Sequence, residues 1–245
     1  MRRVLFQWGR VTVYSYPAML YLGIVSGILA QLRAAETLHL DSSRALAATL
    51  LLLMPALVGA RLLFVATHLE SFRRQPLRIW RAQEGGAAMY GGLLLATPLS
   101  IPLLDLFSLS FGEFWDCASF TLLIGMIITR AGCVLNGCCA GRPSDGPLGI
   151  NLPDRHGVWK RRIPVQALEA AWGLAILAGG IACWGRLPFP GLHFLHTLGA
   201  YGAGRIVLES AREVQDGFRG FSLNRAISLV FVGASLAGLT LVWLR

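Results

Sequence analysis

Long apolar runs separated by short polar connections dominate this sequence. Seven of them are close to the roughly 20 residues that a helix needs to cross the hydrocarbon core of a bilayer. The third run is short, and the sixth carries charged residues. The predicted spans lie near 13–32, 45–68, 87–104, 115–135, 165–185, 192–211 and 222–244. The pattern therefore predicts an all-α integral membrane protein with about seven transmembrane helices.

The polar connections are too short to form a separate soluble domain. The longest lie near 69–86 and 141–164. We therefore predict one polytopic membrane domain over 1–245, in which 141–164 forms a small head loop between the fourth and fifth helices. The pair Gly23 and Gly27 lies on one face of the first predicted helix, and such pairs favour close helix packing in lipid.

Composition agrees with this class, and the net charge indicates the kind of partner. Hydrophobic residues make up 55% of the chain and charged residues 14%, against roughly 25% charged residues in soluble domains. The formal net charge is +9. Because the basic residues lie between apolar runs, anionic phospholipid is the favoured partner, and nucleic acid is not expected.

Apart from Arg225 at the head of the last span, three arginines fall within predicted spans: Arg61, Arg130 and Arg205. Burying a charge at this depth costs free energy, so charged residues there face the bundle interior or a water-filled cavity. Such residues usually indicate a functional site. A guanidinium group keeps its charge when desolvated, and its planar fork matches phosphate oxygens. We predict that Arg130 and Arg205 clamp a lipid phosphate, with Arg61 as a candidate third member. Structural ion pairs that fix helix register are the alternative.

A stripe of polar residues runs along the sixth predicted helix. Tyr201, Arg205, Glu209 and Arg212 follow one another at steps of four, four and three, which places them on one helix face. This stripe should line the same interior site as Arg130. Within it, Glu209 is a candidate general base.

Further polar candidates lie near the starts of predicted helices. Tyr90 lies between two glycine pairs at the start of the third helix, and Tyr16 lies at the start of the first. Either could orient a headgroup by hydrogen bonds or belong to an interfacial aromatic belt. Glu169, one turn inside the fifth helix, is a candidate base or a partner for an arginine.

The segment that ends the fourth apolar run carries three cysteines. Asn136-Gly137 is a helix-breaking signal. Cys133, Cys138 and Cys139 do not share one helix face, since five residues rotate a helix by about 500°. They also lack the spacing of common metal sites, so no metal or other cofactor is expected. Packed cysteines and a redox pair of Cys138 and Cys139 both remain open.

Together these motifs resemble the prolipoprotein diacylglyceryl transferase family, in order over most of the chain. The matching residues are Tyr16, Gly59-Ala-Arg61, Glu84-Gly-Gly, Tyr90-Gly-Gly92, Asp116, Arg130-x-Gly132-x-x-x-Asn136-Gly137, Gly141-Arg142-Pro143, Pro164-x-Gln166-x-x-Glu169 and Tyr201-Gly-x-Gly-Arg205-x-x-x-Glu209-x-x-Arg212. The resemblance implies a multi-pass enzyme of the bacterial inner membrane. Such an enzyme moves diacylglycerol from phosphatidylglycerol to the lipobox cysteine of a prolipoprotein signal peptide, and glycerol phosphate leaves.

The resemblance also suggests roles for the candidate residues. The family's essential arginines fall on Arg130 and Arg205. The full set of candidate catalytic residues is Arg130, Arg205, Tyr90, Glu169 and Glu209. The candidate substrate-binding residues are Tyr16, Arg61, Asn136, Arg142, Arg212, Cys133 and Cys138.

The chain departs from the family pattern at three positions that bear on acid–base chemistry. Tyr90 stands where typical members have a histidine, Cys133 where they have an asparagine, and Cys138 where they have a glutamate. A tyrosine with a pKa near 10 is a poor base at neutral pH. A phospholipid-binding or lipid-moving protein without catalysis is therefore one alternative function, and thiol redox chemistry is a second.

Two indications conflict over orientation in the membrane. Fifteen basic residues lie on the side that holds the N-terminus, and four lie on the other. This asymmetry favours a cytoplasmic N-terminus, whereas the resemblance implies an N-terminus outside the cytoplasm. Because arginines that bind headgroups are poor markers of topology, we expect the family orientation.

Overall fold

Helices account for most of the chain. The computed structural model describes residues 3–9, 11–69, 72, 89–153, 157–186, 188–212, 217–218 and 221–244. The helices in these ranges are α1 (Ser15–Thr37), α2 (Ser42–Thr67), α3 (Met89–Leu106), α4 (Phe111–Asn136), α5 (Val165–Cys183), α6 (Leu192–Glu209) and α7 (Leu223–Trp243). Three antiparallel hairpins pair β1 (Val4–Trp8) with β2 (Val11–Tyr14), β3 (Ile150–Pro153) with β4 (Trp159–Arg162) and β5 (Gly217–Phe218) with β6 (Phe221–Ser222).

Six of the described helices are long and apolar enough to cross a membrane. The seventh, α6, is the predicted span that carries charge, and it contains Arg205 and Glu209. The helices coincide with the predicted spans, and the β3–β4 hairpin lies in the predicted head loop. The prediction of an all-α multi-pass membrane protein is confirmed. The Glu84-Gly-Gly motif lies outside the described residues.

Helix α1 packs closely on α4 through the predicted glycine face. A Cβ atom on Gly27 would lie 2.8 Å from the Cα of Thr121. A Cβ on Gly23 would lie 2.9 Å from the carbonyl oxygen of Gly125. Side chains cannot be accommodated at these distances, so the two glycines let the backbones approach, as is common between helices in lipid.

A buried polar network joins α1, α2 and α4. The Nε2 of Gln31 donates to Oγ1 of Thr49 at 2.8 Å, and Oγ1 of Thr121 donates to Oε1 of Gln31 at 2.7 Å. An unsatisfied polar group in hydrocarbon costs several kcal/mol. The network therefore holds these three helices in one register.

A second buried contact fixes the starts of α4 and α6 side by side. Asp116, in the second turn of α4, accepts hydrogen bonds from the backbone N–H groups of Gly191 at 2.6 Å and Phe194 at 2.8 Å. The carboxylate thus satisfies donors that a helix start leaves free, and it complements the helix dipole. Because both helices start side by side and run in the same direction, both end at the opposite side of the bundle.

The contact between α2 and α3 generates a test of the packing. The backbones meet at Gly59 and Gly91, where a Cβ on Gly91 would overlap the carbonyl oxygen of Gly59. We expect Gly91→Ala to lower the free energy of unfolding by about 1–3 kcal/mol, the usual cost of overpacking. The matched control is Gly233→Ala in α7, where nothing lies within 4 Å of an added Cβ. Thermal unfolding in detergent measures both, and equal melting temperatures for the two variants would contradict the packing.

Candidate active site

The charged residues predicted on separate helices meet at one end of the bundle. Arg130 lies near the end of α4, and Arg205 and Glu209 lie at the end of α6. Glu169 lies in the second turn of α5, directly after the head loop. Because α4 and α6 end on the same side and α5 starts there, the topology places all four residues together.

Glu169 lies at the centre of this group. Its Oε2 forms an ion pair with Nη2 of Arg130, and its Oε1 forms one with Nη1 of Arg205. Nη2 of Arg212 lies 3.6 Å from the same Oε1. The Glu169 side chain is only 1% exposed. Two guanidinium groups from different helices therefore converge on one buried carboxylate.

Glu209 is the second carboxylate of the site. Its Oε2 lies 2.9 Å from Nη2 of Arg205. Its Oε1 accepts hydrogen bonds from Oγ of Ser222 at 3.1 Å and Nδ2 of Asn224 at 3.3 Å. A fully buried carboxylate requires such partners. The bonds also link the end of α6 to the start of α7.

We refer to Arg130, Glu169, Arg205, Glu209 and Arg212 as the ion cluster. Its three guanidinium groups and two carboxylates leave one positive charge in excess. The side chains of Arg130 and Arg212 are 15% and 12% exposed, more than those of the other three members. The cluster is therefore a cationic site whose accessible edge is formed by two arginines.

Tyr90 lies beside the ion cluster. Its hydroxyl is 2.6 Å from Oγ of Ser228, and its ring contacts the ring of Tyr201 edge-on, with centroids 6.1 Å apart. It also interacts electrostatically with Arg205 and Glu169. The start of α3 thus contributes a buried phenol to the same site.

Tyr16 and Asn136 lie on the other side of Arg130. The phenol of Tyr16 is half-buried and interacts electrostatically with Arg130 and with the neighbouring thiols. Asn136 is the last residue of α4, and its side chain forms a hydrogen bond with the Cys138 thiol. Both predicted headgroup ligands are therefore close to the cluster's accessible edge.

The end of α4 gathers three thiol groups. The helix ends at Asn136 as predicted, followed by Gly137 in the left-handed region at φ 73°. Cys139 also has a positive φ, 61°. The resulting turn brings the Sγ atoms of Cys133, Cys138 and Cys139 within 4.8 Å of one another. The cysteines do not share a helix face, as predicted, but helix spacing did not predict that they would meet.

The head loop is tied to the ion cluster by backbone hydrogen bonds. The N–H of Gly141 donates to the carbonyl of Ile163 at 2.9 Å, and the N–H of Arg142 donates to the carbonyl of Ala211 at 2.9 Å. The Arg142 side chain is exposed. These bonds hold the residues before α5 against the residues after α6, and they place Arg142 at the rim of the site.

Arg61 has a different environment. Its guanidinium carbon lies 5.6 Å from the centroids of both the Phe64 and the Phe72 rings. Such cation–π contacts stabilise an arginine by about 0.5–2 kcal/mol. The structure gives Arg61 aromatic partners near the end of its own helix, so we do not include it in the ion cluster.

Comparison with known proteins assigns the chain to a family. Residues 3–243 match the family described as prolipoprotein diacylglyceryl transferase. The chain belongs to this family. The predicted family, membrane fold and transferase class are thereby confirmed.

Relatives from several bacteria carry the name phosphatidylglycerol–prolipoprotein diacylglyceryl transferase. The protein of Parasynechococcus marenigrum (strain WH8102) is 27% identical over 265 residues, covering 99% of this chain and 93% of the relative. That of Clostridium botulinum (strain Hall) is 23% identical over 217 residues, covering 86% and 85%. That of Trichormus variabilis is 22% identical over 254 residues, covering 99% and 90%. This transferase is thus similar to them over nearly its whole length, at low identity.

Some residues that contact the site of this transferase were not predicted from the sequence. Asn224 and Ser228 lie four residues apart at the start of α7, a polar pair on one face of an apolar run. That spacing could have identified them. Arg162, one of the fifteen basic residues on the N-terminal side, is also buried, with an exposed fraction of 2%. Its burial depends on the pairing of β4 with β3, which no local pattern specifies.

Removing the charge at the centre of the ion cluster should destabilise the protein. In Glu169→Gln, three arginines would face one remaining carboxylate, and breaking a buried ion pair costs about 3 kcal/mol or more. The control is Glu36→Gln, whose side chain is 54% exposed in a surface pair with Arg33. We expect a lower melting temperature for Glu169→Gln alone. If both variants have the melting temperature of the wild type, Glu169 is not the centre of the ion cluster.

The surroundings of Cys139 favour the thiolate form of this residue. The pKa of Cys139 is lowered from its ordinary value, first by hydrogen bonds from the thiols of Cys133 and Cys138 and then by the charges of Arg130 and Arg212. A lowered pKa means that the thiolate persists as the pH falls. The thiolate is the form that reacts with electrophiles.

We expect Cys139 to react with iodoacetamide at nearly the same rate at pH 8 and pH 6. Free cysteine, with a pKa of about 8.5, should slow by roughly 80-fold over the same interval. Mass spectrometry of peptides from the metal-free protein, after timed alkylation, resolves each site. A Cys139 rate that falls in parallel with free cysteine would contradict the assigned acidity.

Proposed function

We propose that this family member transfers the diacylglyceryl group of phosphatidylglycerol to the lipobox cysteine of a prolipoprotein, at the inner membrane of a bacterium. The observation that carries the proposal is the convergence of Arg130 and Arg205 on Glu169. The names of its relatives support the donor and the acceptor.

The charge of the ion cluster suits this donor. Three guanidinium groups minus two carboxylates leave a charge of +1, and the phosphodiester of phosphatidylglycerol carries one negative charge. A lipid with this headgroup would therefore neutralise the site. As the donor ester bond breaks, the phosphate gains a second negative charge, which fixed guanidinium groups stabilise in the transition state.

Glu169 occupies the position that we assign to the lipid phosphate. Each guanidinium group has five N–H donors in a planar fork, and Glu169 engages one Nη of Arg130 and one of Arg205. A phosphate oxygen entering between Arg130 and Arg205 would share these donors or displace the carboxylate. Glu169 thus keeps both arginines aligned while the site is empty of lipid.

A small apolar cleft lies between α3, α4 and α6. Its lining includes Met89, Leu93, Met126, Phe194, Leu198 and Tyr201. Tyr201 lies one helical turn before Arg205, so the cleft and the cluster are adjacent. The cleft's volume of about 20 Å³ is too small for an acyl chain, so we assign the cleft no role in donor binding.

In the reaction, the acceptor thiol releases its proton to solvent, and its sulfur attacks the glycerol carbon that carries the phosphate ester. A sulfur–carbon bond forms, the carbon–oxygen bond breaks, and glycerol phosphate leaves with the bonding electrons. Both Glu169 and Glu209 are already engaged by guanidinium groups. We therefore assign them to alignment and charge balance rather than to proton transfer. Tyr90, Tyr16 and Asn136 orient the headgroup by hydrogen bonds.

In the proposed phosphate clamp of Arg130 and Arg205, positive charge alone is not sufficient for full transfer activity, because the planar donors of the guanidinium group are also needed. Arg205→Lys keeps the positive charge but loses the planar donors, and loss of one transition-state donor costs about 100-fold or more in rate. The same loss is expected for Arg130→Lys. The assay follows labelled diacylglycerol from phosphatidylglycerol to a lipobox peptide by mass spectrometry of the product.

The control for this assay is Arg33→Lys, an 82% exposed side chain on α1, which should retain full activity. Membrane insertion and phosphatidylglycerol binding are measured in parallel. Transfer at wild-type rates in both clamp variants would remove the clamp from the mechanism. A wild-type protein that binds phosphatidylglycerol but never produces thioether would instead favour the lipid-binding alternative.

A further inference from the structure

The three thiols at the end of α4 form an arrangement that the proposed lipid clamp does not use. Their Sγ atoms lie within 4.8 Å of one another. Three thiolates around one Zn²⁺ at about 2.3 Å would lie about 3.8–4.0 Å apart. Small side-chain rotations are enough to close that difference. We propose that Cys133, Cys138 and Cys139 form a three-thiolate site for a thiophilic d¹⁰ cation of the Zn²⁺ class.

The backbone around these thiols is already fixed in the required turn. The N–H of Cys138 donates to the carbonyl of Cys133 at 3.1 Å, and Nε2 of Gln166 donates to the carbonyl of Cys138 at 2.7 Å. Gly137 supplies the left-handed residue that the turn needs. Cys133 therefore lies in the last turn of α4, and Cys138 and Cys139 lie on a hydrogen-bonded loop that connects α4 with α5. Such preorganisation lowers the cost of binding an ion.

The charges near the thiols suit a bound metal with three thiolates. Such a group carries a net charge of −1 with a divalent cation. Nη1 of Arg130 lies 4.0 Å from Sγ of Cys133, and Arg212 interacts electrostatically with Cys139. These guanidinium groups would offset part of this negative charge, although Arg130 is shared with the proposed phosphate site. Soft thiolate ligands select Zn²⁺ and Cu⁺ over hard cations such as Mg²⁺.

A site with three protein ligands leaves a fourth position for another ligand, as in catalytic zinc centres. Cys139 is exposed, so we place this fourth position on the outward side of the three thiols. This further step rests on the proposed function: the fourth ligand is the acceptor thiol. Metal binding would release its proton to solvent and hold the sulfur as a thiolate. That thiolate then forms the sulfur–carbon bond while the donor's carbon–oxygen bond breaks toward glycerol phosphate.

The binding test uses Co²⁺ as a spectroscopic probe for the purified, chelator-treated protein in detergent, without lipid or acceptor. We expect one equivalent to bind with thiolate-to-cobalt charge-transfer absorption and to be displaced by Zn²⁺. Cys133→Ser, Cys138→Ser and Cys139→Ser should each weaken binding by at least 100-fold. Cys183→Ser, an exposed thiol at the far end of α5, should leave it unchanged.

Folding is controlled by melting temperature and size-exclusion profile. Cys133 is buried, so its variant tests folding as well as binding, whereas Cys139 is exposed and its variants keep the fold. Absence of thiolate charge-transfer bands in the wild type would overturn the site. Unchanged binding in a folded Cys139→Ser protein would also overturn it.

A separate measurement tests whether the acceptor thiol is the fourth ligand of the bound metal. A lipobox peptide with cysteine should change the ligand-field bands of the bound Co²⁺, whereas the same peptide with serine should not. No difference between the peptides would overturn this role. Because these measurements contain no lipid, they stand independently of the transfer assay. A wild-type protein that binds Co²⁺ but transfers no lipid with or without metal would contradict the proposed function alone.

Discussion

The convergence of two guanidinium groups on the buried carboxylate of Glu169 is the constraint that organises this end of the molecule. Arg130 and Arg205 come from different helices, and neither side chain could remain in an apolar environment without an anionic partner. By pairing with both, Glu169 fixes α4, α5 and α6 relative to one another. The same arrangement keeps two planar forks pointed at one position. Structure and anion recognition therefore depend on the same three side chains.

The rest of the fold supports this convergence from a distance. Asp116 joins the start of α6 to the start of α4 by hydrogen bonds, so both helices end on the same side of the bundle. Close contacts at Gly23 and Gly27 seat α1 on α4. The head loop then brings α5 back to the ion cluster through backbone bonds at Gly141 and Arg142. The site depends on all of these contacts, although none of these five residues belongs to the ion cluster.

Sequence was sufficient to predict the features that follow from burial cost and periodicity. The apolar runs gave the helices, and Arg130 and Arg205 were identified because ionisable groups at membrane depth require a reason. The sequence did not identify Glu169 as the partner that both arginines share, because that pairing depends on how the helices pack rather than on local spacing. The meeting of the three thiols depends on two left-handed residues after α4, one of them the non-glycine Cys139. Arg61 satisfied the same burial argument as the other arginines, but aromatic neighbours give it a structural explanation.

The central claim is that Arg130 and Arg205 together form a phosphate site that the Glu169 carboxylate occupies when no lipid is bound. A cryo-electron microscopy structure of the protein in nanodiscs containing phosphatidylglycerol tests it most directly. The account predicts a lipid phosphate within about 3 Å of nitrogen atoms of both guanidinium groups, with Glu169 displaced from at least one of them. A phosphate bound elsewhere, with Glu169 still paired to both arginines, would contradict it.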